Sequence, residues 1–259
     1  MTRVIKLGGT LLEDASRLSR LCRAIVRSSR AGRTIVVHGG GRKVSEVARR
    51  CGQEPRFADG LRVTDDAMLE IVLMVLAGSV GTRLVAALNA SGARAVGLTG
   101  GDDAMVLAEP LSRGGGADLG HVGRIREVRA DLLERLLGAG YLPVIAPLAV
   151  SAAGTWLNIN ADQMAAAIAG ALRADHLIFL TDVEGVLGED GAVMRRLEMS
   201  DARRLIETGT IHGGMRPKLE ACTEALTSGV PEVLILPGAR AHLLAAGSLP
   251  GECGTRLLP

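Results

Sequence analysis

Short runs of β-branched and other apolar residues alternate along the chain with longer stretches in which apolar side chains recur every three or four positions. The short runs predict strands at Val4 to Leu7, Thr34 to Val37, Ala95 to Leu98, Pro143 to Ala146, His176 to Thr181 and Glu232 to Leu236. The longer ones predict helices at Asp14 to Ser29, Lys43 to Arg50, Thr64 or Asp65 to Ala90, Ala130 to Leu137, Asn160 to Leu172, Asp201 to Glu207 and Met215 to Thr227. In the fifth of these, Met164, Ile168 and Leu172 are four apart and share one face, which should pack on a sheet. Alternation of this kind is the pattern of βα units wound into a largely parallel sheet, so the fold class is α/β. The apolar stretch Met68 to Ala77 carries Glu70 and stops at Gly78. It is shorter than the roughly 20 residues of a membrane span and reads as a buried helix. That helix is apolar on more than one side, which suits either full burial or a subunit interface. No repeat is found, Ser112 to Ala117 reads as a flexible surface loop, and any lobe boundary falls in continuous structure near residue 150.

Composition narrows the partners. The chain has 259 residues, 47% of them hydrophobic and 22% charged, which is enough to bury one large core or two small ones. With 30 basic and 28 acidic side chains the formal charge is only +2, and no basic run is interleaved with aromatics, so nucleic acid is not an expected partner. Met1 to Lys6 passes directly into a strand-like segment without a signal peptide's apolar core, so the expected location is the cytoplasm. Cys22, Cys51, Cys222 and Cys253 are scattered, without a Cys-x-x-Cys pair, and signal neither a zinc site nor a disulfide framework.

The candidate chemistry lies where strands end. Lys6-Leu7-Gly8-Gly9, His38-Gly39-Gly40-Gly41, Thr99-Gly100-Gly101-Asp102 and Thr181-Asp182-Val183-Glu184-Gly185 all follow predicted strands. Ligands of open α/β sheets bind outside the carboxyl ends of strands, and glycines there let backbone N–H groups approach phosphate oxygens. A single such cluster is as readily a tight turn, but four at strand ends point to anion binding. None fits the Walker or the dinucleotide fingerprint. Lys6 interrupts an apolar strand, and a buried lysine requires a partner or an anionic ligand. Lys218, beside the stripe Met215, Leu219, Cys222 and Leu226, reads on its own as a solvated helix flank. Asp162 reads equally well as a first-turn acid of the helix opened by Asn160. Asn158 and Asn160 alternate along an extended segment and so point to one side, as a ligand site or an asparagine turn would require.

Longer motifs carry a resemblance. Ile5-Lys6-Leu7-Gly8-Gly9, Val37 to Gly41, Gly60-Leu61-Arg62-Val63-Thr64, Leu119 to Gly123 and Leu157-Asn158-Ile159-Asn160-Ala161-Asp162 are similar to the acetylglutamate kinases of the amino acid kinase family. Leu180 to Leu187, Gly213-Gly214-Met215 with Lys218, and Gly254 to Leu258 extend the likeness almost end to end. The resemblance implies an open three-layer αβα sandwich around a central, mainly parallel twisted sheet. Residues 1–150 would form the amino-acid-substrate lobe and subunit interface, and 151–259 the nucleotide lobe. The implied reaction is transfer of the γ-phosphoryl group of ATP, with Mg²⁺, to the γ-carboxylate of N-acetyl-L-glutamate in arginine biosynthesis. The implied catalytic residues are Lys6 and Lys218, organised by Asp162. Gly40, Gly41, Arg62, Asn158 and Asn160 would bind the substrate, Arg62 gripping its α-carboxylate with a planar fork. Gly8, Gly9, Thr181, Asp182, Val183, Leu187, Gly213, Gly214 and Met215 would bind the nucleotide. No protein ligand to Mg²⁺ is expected, because phosphate and water oxygens hold it. Arg42, after the glycine run, departs from the family pattern and adds charge near the proposed phosphoryl site. The chain also begins almost at the first strand, without the helical extension of arginine-inhibited hexameric relatives, so a homodimer insensitive to arginine is expected. Three rivals stay open: a carrier-linked or N-acylated aminoadipate as acceptor, a dinucleotide-dependent oxidoreductase lacking its fingerprint, and a non-catalytic sensor on the same fold.

Overall fold

The computed structural model describes residues 1–112, 118–188, 190–211, 213–245 and 253–259. Most of the predicted loop Ser112 to Ala117 lies outside the described residues. Eight strands make the main sheet: β1 (Thr2–Leu7), β2 (Arg33–His38), β5 (Ala95–Thr99), β8 (Leu142–Ala146), β11 (His176–Thr181), β12 (Arg196–Glu198), β13 (Val233–Pro237) and β14 (Thr255–Leu258). Their spatial order is β12-β14-β13-β11-β1-β2-β8-β5, and among the described residues the pair β13–β14 is its one antiparallel contact. The six predicted strands are all in this sheet, each displaced by no more than two residues at either end.

Alternation along β1 and β11 builds the layers. Val4, Leu177 and Phe179 face one core with α6 (Ala161–Ala171) and α8 (Met215–Thr227). Ile5, Leu7, Ile178 and Leu180 face the opposite core with α1 (Ala15–Ala31). Successive side chains of a strand point to opposite faces, so a central strand covered on both sides must be apolar throughout. Lys6 falls on the Val4 side by the same rule, which sets its ammonium beneath α6.

Three further helices, α2 (Gly41–Arg50), α5 (Asp131–Gly138) and α7 (Met199–Glu207), complete the helical layers at the expected places. The long apolar helix is continuous from Asp66 to Ala90. It consists of α3 (Asp66–Leu73), a wider π-helical stretch (Met74–Gly81) and α4 (Thr82–Ala90). The apolar run therefore does not end at Gly78: that glycine lies inside the π-helical stretch, and the helix has the length and hydropathy of a membrane span. Part of its apolar content is taken up by packing, since α3 and the π-helical stretch enter a core with Val44 and Leu148 while α4 enters the core of α1.

The remaining strands are short and were not visible in the sequence pattern. β6 (Val106–Pro110), β7 (Gly123–Val128), β9 (Leu148–Val150) and β10 (Trp156–Asn158) form a second sheet in the order β10-β9-β6-β7. β3 (Phe57–Ala58) and β4 (Leu61–Arg62) form a hairpin whose turn residues Asp59 and Gly60 both have positive φ, 48° and 79°. That is the backbone a two-residue type I′ turn needs, and Asp-Gly is its sequence signature.

Thr99 to Asp102 does not behave as an anion-binding turn. Gly100 N–H donates to Leu148 O at 2.7 Å, a Cβ on Gly101 would meet the Trp156 ring, and Asp102 accepts from both Thr99 N–H and Thr99 Oγ1–H. Its glycines serve close contact between the two sheets.

Gly120 has the strictest backbone requirement near the cleft described below. Its φ is 61°, and a Cβ there would stand 2.3 Å from Thr64 O. Gly120→Ala is expected to destabilise the protein by at least about 1 kcal/mol, because strain and a backbone clash act together. Chemical denaturation checks this, and an unchanged midpoint would show that the Thr64 to Gly120 contact yields freely.

Candidate active site

β1 delivers Lys6, the first turn of α6 delivers Asp162, and the first turn of α8 delivers Lys218. Asn160 caps α6, its Oδ1 accepting from Asp162 N–H at 2.8 Å and Gln163 N–H at 3.2 Å. The cap fixes the helix start, and Asp162 then turns inward. Lys6 Nζ lies 2.7 Å from Asp162 Oδ1. Lys218 Nζ donates to both carboxylate oxygens, at 3.2 and 3.1 Å, and stands 5.0 Å above the Phe179 ring. All three are nearly enclosed, with 8%, 8% and 6% of Lys6, Asp162 and Lys218 exposed.

Two cations therefore share one anion out of water. Burial pushes the Lys6 ammonium below the ordinary lysine value; Asp162 opposes this, and Lys218 adds to it by repulsion. Burial alone would raise the Asp162 carboxyl, yet attraction to Lys6 and Lys218 outweighs burial and holds it below the usual carboxylate range. With the carboxylate ionised and both lysines protonated, the trio carries a net positive charge. A buried excess charge calls for an anionic ligand.

The cleft that opens at Lys6 and Asp162 is also lined by Gly9, Gly39, Gly40, Gly41, Arg62, Asn158 and Asn160. The turns after β1 and β2 approach backbone to backbone, so that a Cβ on Gly9 would lie 3.0 Å from Gly40 N. Gly40 in turn sits against the π-helical stretch, where a Cβ would meet Leu76 Cδ2 at 2.7 Å. His38 Nδ1–H donates to Gly39 O at 3.0 Å and stiffens the same turn. Gly41 begins α2, so the partial positive charge of that helix start faces the cleft.

Arg62 reaches the cleft from the β3–β4 hairpin. One nitrogen, Nη2, donates to Gly41 O and Ser45 Oγ, both at 2.8 Å, and the guanidinium lies 4.7 Å above the Phe57 ring. The other, Nη1, is buried with no hydrogen-bond partner among the described residues. Burial lowers the pKa of Arg62, and repulsion from Arg49 adds to the effect. An orphaned guanidinium nitrogen on a residue that lines a cleft suits a carboxylate. Apolar groups, among them Val44, Val72, Leu76, Val122 and Pro147, close the walls around a volume of about 260 Å³. That is below the usual range for drug-sized ligands and fits a small amino acid derivative.

The residues expected on the nucleotide side are less gathered. Gly9 lines the cleft itself, and Gly8 N–H donates to Leu180 O at 2.9 Å. Thr181 and Asp182, linked by a 3.2 Å hydrogen bond, line a separate hollow beside α1 and the 3₁₀ segment Gly238–Ala245. Val183 and Leu187 are large apolar side chains left exposed. Gly213 and Gly214 are exposed just before α8, and Met215 is its first residue. Arg42, next to the cleft-lining Gly41, pairs with Glu13 at 3.4 Å on the surface and is not itself among the residues that line the cleft. Thr64, which closes the Gly60 to Thr64 motif, joins Arg62 to Asn158 through its hydroxyl, a link the sequence does not signal. The hairpin that carries Arg62 was signalled by Asp59-Gly60.

Comparison with known proteins agrees with this geometry. The family model described as "Amino acid kinase family" matches residues 1–237. Acetylglutamate kinase from Methanopyrus kandleri is 48% identical over 238 residues, covering 90% of this chain and 93% of that protein. The Bartonella tribocorum acetylglutamate kinase is 45% identical over 251 residues, with 93% and 83% covered. Among solved structures, N-acetylglutamate synthase from Neisseria gonorrhoeae, complexed with coenzyme A and N-acetyl-glutamate, superposes with a TM-score of 0.87 at 30% identity. All of this chain is covered, but it spans only 59% of the length of that synthase. Carbamate kinase from Giardia, at 18% identity and a TM-score of 0.72, shares the fold. The chain belongs to the amino acid kinase family and, within it, to the acetylglutamate kinases.

Proposed function

We propose that this protein transfers the γ-phosphoryl group of ATP to the γ-carboxylate of N-acetyl-L-glutamate, giving N-acetylglutamyl 5-phosphate in arginine biosynthesis. The observation that carries the reading is the buried Lys6–Asp162–Lys218 trio at one end of a small cleft that also holds the half-satisfied Arg62. A carboxylate oxygen attacks the γ-phosphorus while the bond to the β-phosphate oxygen breaks, and ADP leaves. The acceptor carboxylate is already ionised at neutral pH, since its reference pKa is about 4.3, and no base is required. The obstacle is the approach of two anions, which fixed cations relieve. In this scheme Lys6 stabilises the phosphoryl group in flight, Lys218 stabilises the leaving side, and Asp162 holds both ammonium groups in place. Gly40 and Gly41 supply backbone donors, and Arg62, Asn158 and Asn160 bind the acyl amino acid. Gly8, Gly9, Thr181, Asp182, Val183, Leu187, Gly213, Gly214 and Met215 serve the nucleotide. Mg²⁺ enters as part of the MgATP substrate, on phosphate and water oxygens.

Residues 1–150 serve as the acceptor lobe and 151–259 as the nucleotide lobe, with Asn158 to Asp162 reaching back to the acceptor. Action in the cytoplasm, where ATP and amino acids are at hand, is part of the same proposal, as is a homodimer. The dimer reading is supported by the outer side of helix Asp66–Ala90, where Met74 is 57% exposed, and by β5 at the open edge of the sheet. Light scattering should give about twice the chain mass of 26.9 kDa, and a monomer at assay concentration would remove the dimer from the proposal.

The reaction is tested by trapping acyl phosphate with hydroxylamine while following ADP release, with N-acetylglutamate, glutamate, N-acetylaspartate and acylated aminoadipate as acceptors. Signal with acylated aminoadipate alone would move the enzyme to the rival substrate. Lys218→Ala should lower kcat by about 10²- to 10³-fold with little change in ATP affinity, as for one lost transition-state donor. Arg62→Ala should mainly raise the KM for the acyl amino acid. Near-normal turnover in the first, or an unmoved KM in the second, would remove that residue from its role.

The lowered pKa of Lys6 has a signed consequence. Losing its proton removes a cation from the phosphoryl site, so activity falls as pH rises through the Lys6 pKa, below the ordinary lysine value of 10.5. Bound ATP adds negative charge and restores the proton's hold. The alkaline limb of kcat/KM, which reports free enzyme, should therefore lie at lower pH than the limb of kcat. Coincident limbs, or the reverse order, would show that Lys6 does not set them.

A further inference from the structure

Arg62 and Asn158 enter the cleft from elements distant in sequence, and one hydroxyl lies between them. Thr64 is fully buried, with Oγ1 2.8 Å from Arg62 O and 3.0 Å from Asn158 Nδ2. A carbonyl oxygen only accepts, so the single Thr64 hydroxyl proton is given to Arg62. Thr64 Oγ1 must then accept from Asn158, and only the Nδ2 end of that amide carries hydrogens. The direction of the relay is forced: Asn158 amide to Thr64 hydroxyl to Arg62 carbonyl. Turning the Asn158 amide over would set two acceptors face to face or leave the Arg62 carbonyl without its donor. Either is costly in a buried place.

The main chain of Thr64 is held as firmly. Thr64 N–H donates to Leu119 O at 3.0 Å, His121 N–H donates to Thr64 O at 2.6 Å, and Asn158 N–H donates to His121 O at 2.8 Å. The hydroxyl therefore stands on a three-segment bridge that also fixes the backbone of Asn158. With Nδ2 directed to Thr64, the Asn158 Oδ1 is the end free to meet a ligand in the cleft, and an oxygen of this kind recognises a donor.

We propose that Thr64 is a positioning residue that sets the polarity of the Asn158 amide, so that Oδ1 accepts from the amide N–H of an N-acyl amino acid, and that steadies the backbone carrying Arg62. This rests on the assignment of Arg62 and Asn158 to the acyl amino acid made above. A site built to pair with an N–H discriminates against an analogue that lacks it. An ester in place of the acetamido group, as in 2-acetoxyglutarate, keeps both carboxylates and offers only acceptors.

The test compares the parent enzyme, Thr64→Val and Thr64→Ser, each checked by thermal melting, with MgATP and either N-acetylglutamate or 2-acetoxyglutarate. The parent should prefer the amide by about tenfold or more in kcat/KM, on the scale of one buried hydrogen bond. Thr64→Val, which removes the hydroxyl at nearly constant size, should raise the KM for N-acetylglutamate about tenfold, leave the KM for ATP within about twofold, and narrow the preference for amide over ester. Thr64→Ser should return all three to within about threefold of the parent, because it keeps the hydroxyl. If Thr64→Val does not fold, Thr64→Ala is read in its place with the same expectations. An active parent whose acceptor KM and amide preference are unmoved by loss of the hydroxyl would overturn the role of Thr64 alone, as would a Thr64→Ser enzyme as impaired as Thr64→Val. A parent that phosphorylates no acyl amino acid would defeat the proposed function and this inference with it.

Discussion

Two ammonium groups sharing one carboxylate, all three shut away from water, form the constraint around which the rest of the site is arranged. Asp162 alone could neutralise one lysine and leave a quiet buried ion pair. Lys6 and Lys218 together leave a surplus of positive charge, which the fold tolerates because the cleft gives an anion access to it. Under the proposed function, an arriving phosphoryl group would meet and offset that surplus. In the proposed reaction the same arrangement would spare the protein from placing new charge, since both cations already stand beside Asp162.

Holding that trio in place requires three elements from separate parts of the chain. β1 presents Lys6 to the α6 side because alternation allows no other direction for a residue between Ile5 and Leu7. The Asn160 cap fixes where α6 begins, and so where Asp162 points. α8 carries Lys218 within reach by burying Leu219 and Cys222 in the same core as Phe179. The glycine turns after β1 and β2 then fit together only because neither Gly9 nor Gly40 has a side chain. Charge, cap and backbone contact thus depend on a common core.

Much of this was legible in the sequence, for physical reasons that differ from element to element. Central strands buried on both faces announce themselves as continuous apolar runs, and the five predicted from such runs, with the edge strand β5, are all in the main sheet. Lys6 was conspicuous because a charge inside such a run demands an explanation. Lys218 and Asp162 were not, since a helix-flank lysine and a first-turn acid are ordinary, and only the resemblance to acetylglutamate kinases singled them out. The second sheet was missed because its strands are short and mixed: β7, reading Gly-Arg-Ile-Arg-Glu-Val, buries only Gly123 fully. The Asp59-Gly60 turn is legible in the sequence, because both of its residues need positive φ. Thr99 to Asp102 shows the opposite error, in which glycines at a strand end serve close approach of two sheets and not a ligand. Thr64 is silent in sequence because its role is a direction of hydrogen bonding between distant segments, which no local pattern encodes.

The helix from Asp66 to Ala90 adds a mechanical property to this picture. Met68, Val72, Val75 and Leu76 belong to the core behind the cleft wall, whereas Leu84 and Leu88 belong to the core shared with α1 and Ala95 of β5. The π-helical stretch between them joins these two packing regions in one continuous rod. Leu76 abuts Gly40 at one end of this lever, and Leu88 is locked beside the sheet's outer edge at the other. The spacing of the glycine turn and the seating of the outermost strand are consequently gauged by the same piece of backbone, so the chain sets the bore of its cleft partly from a place well outside it.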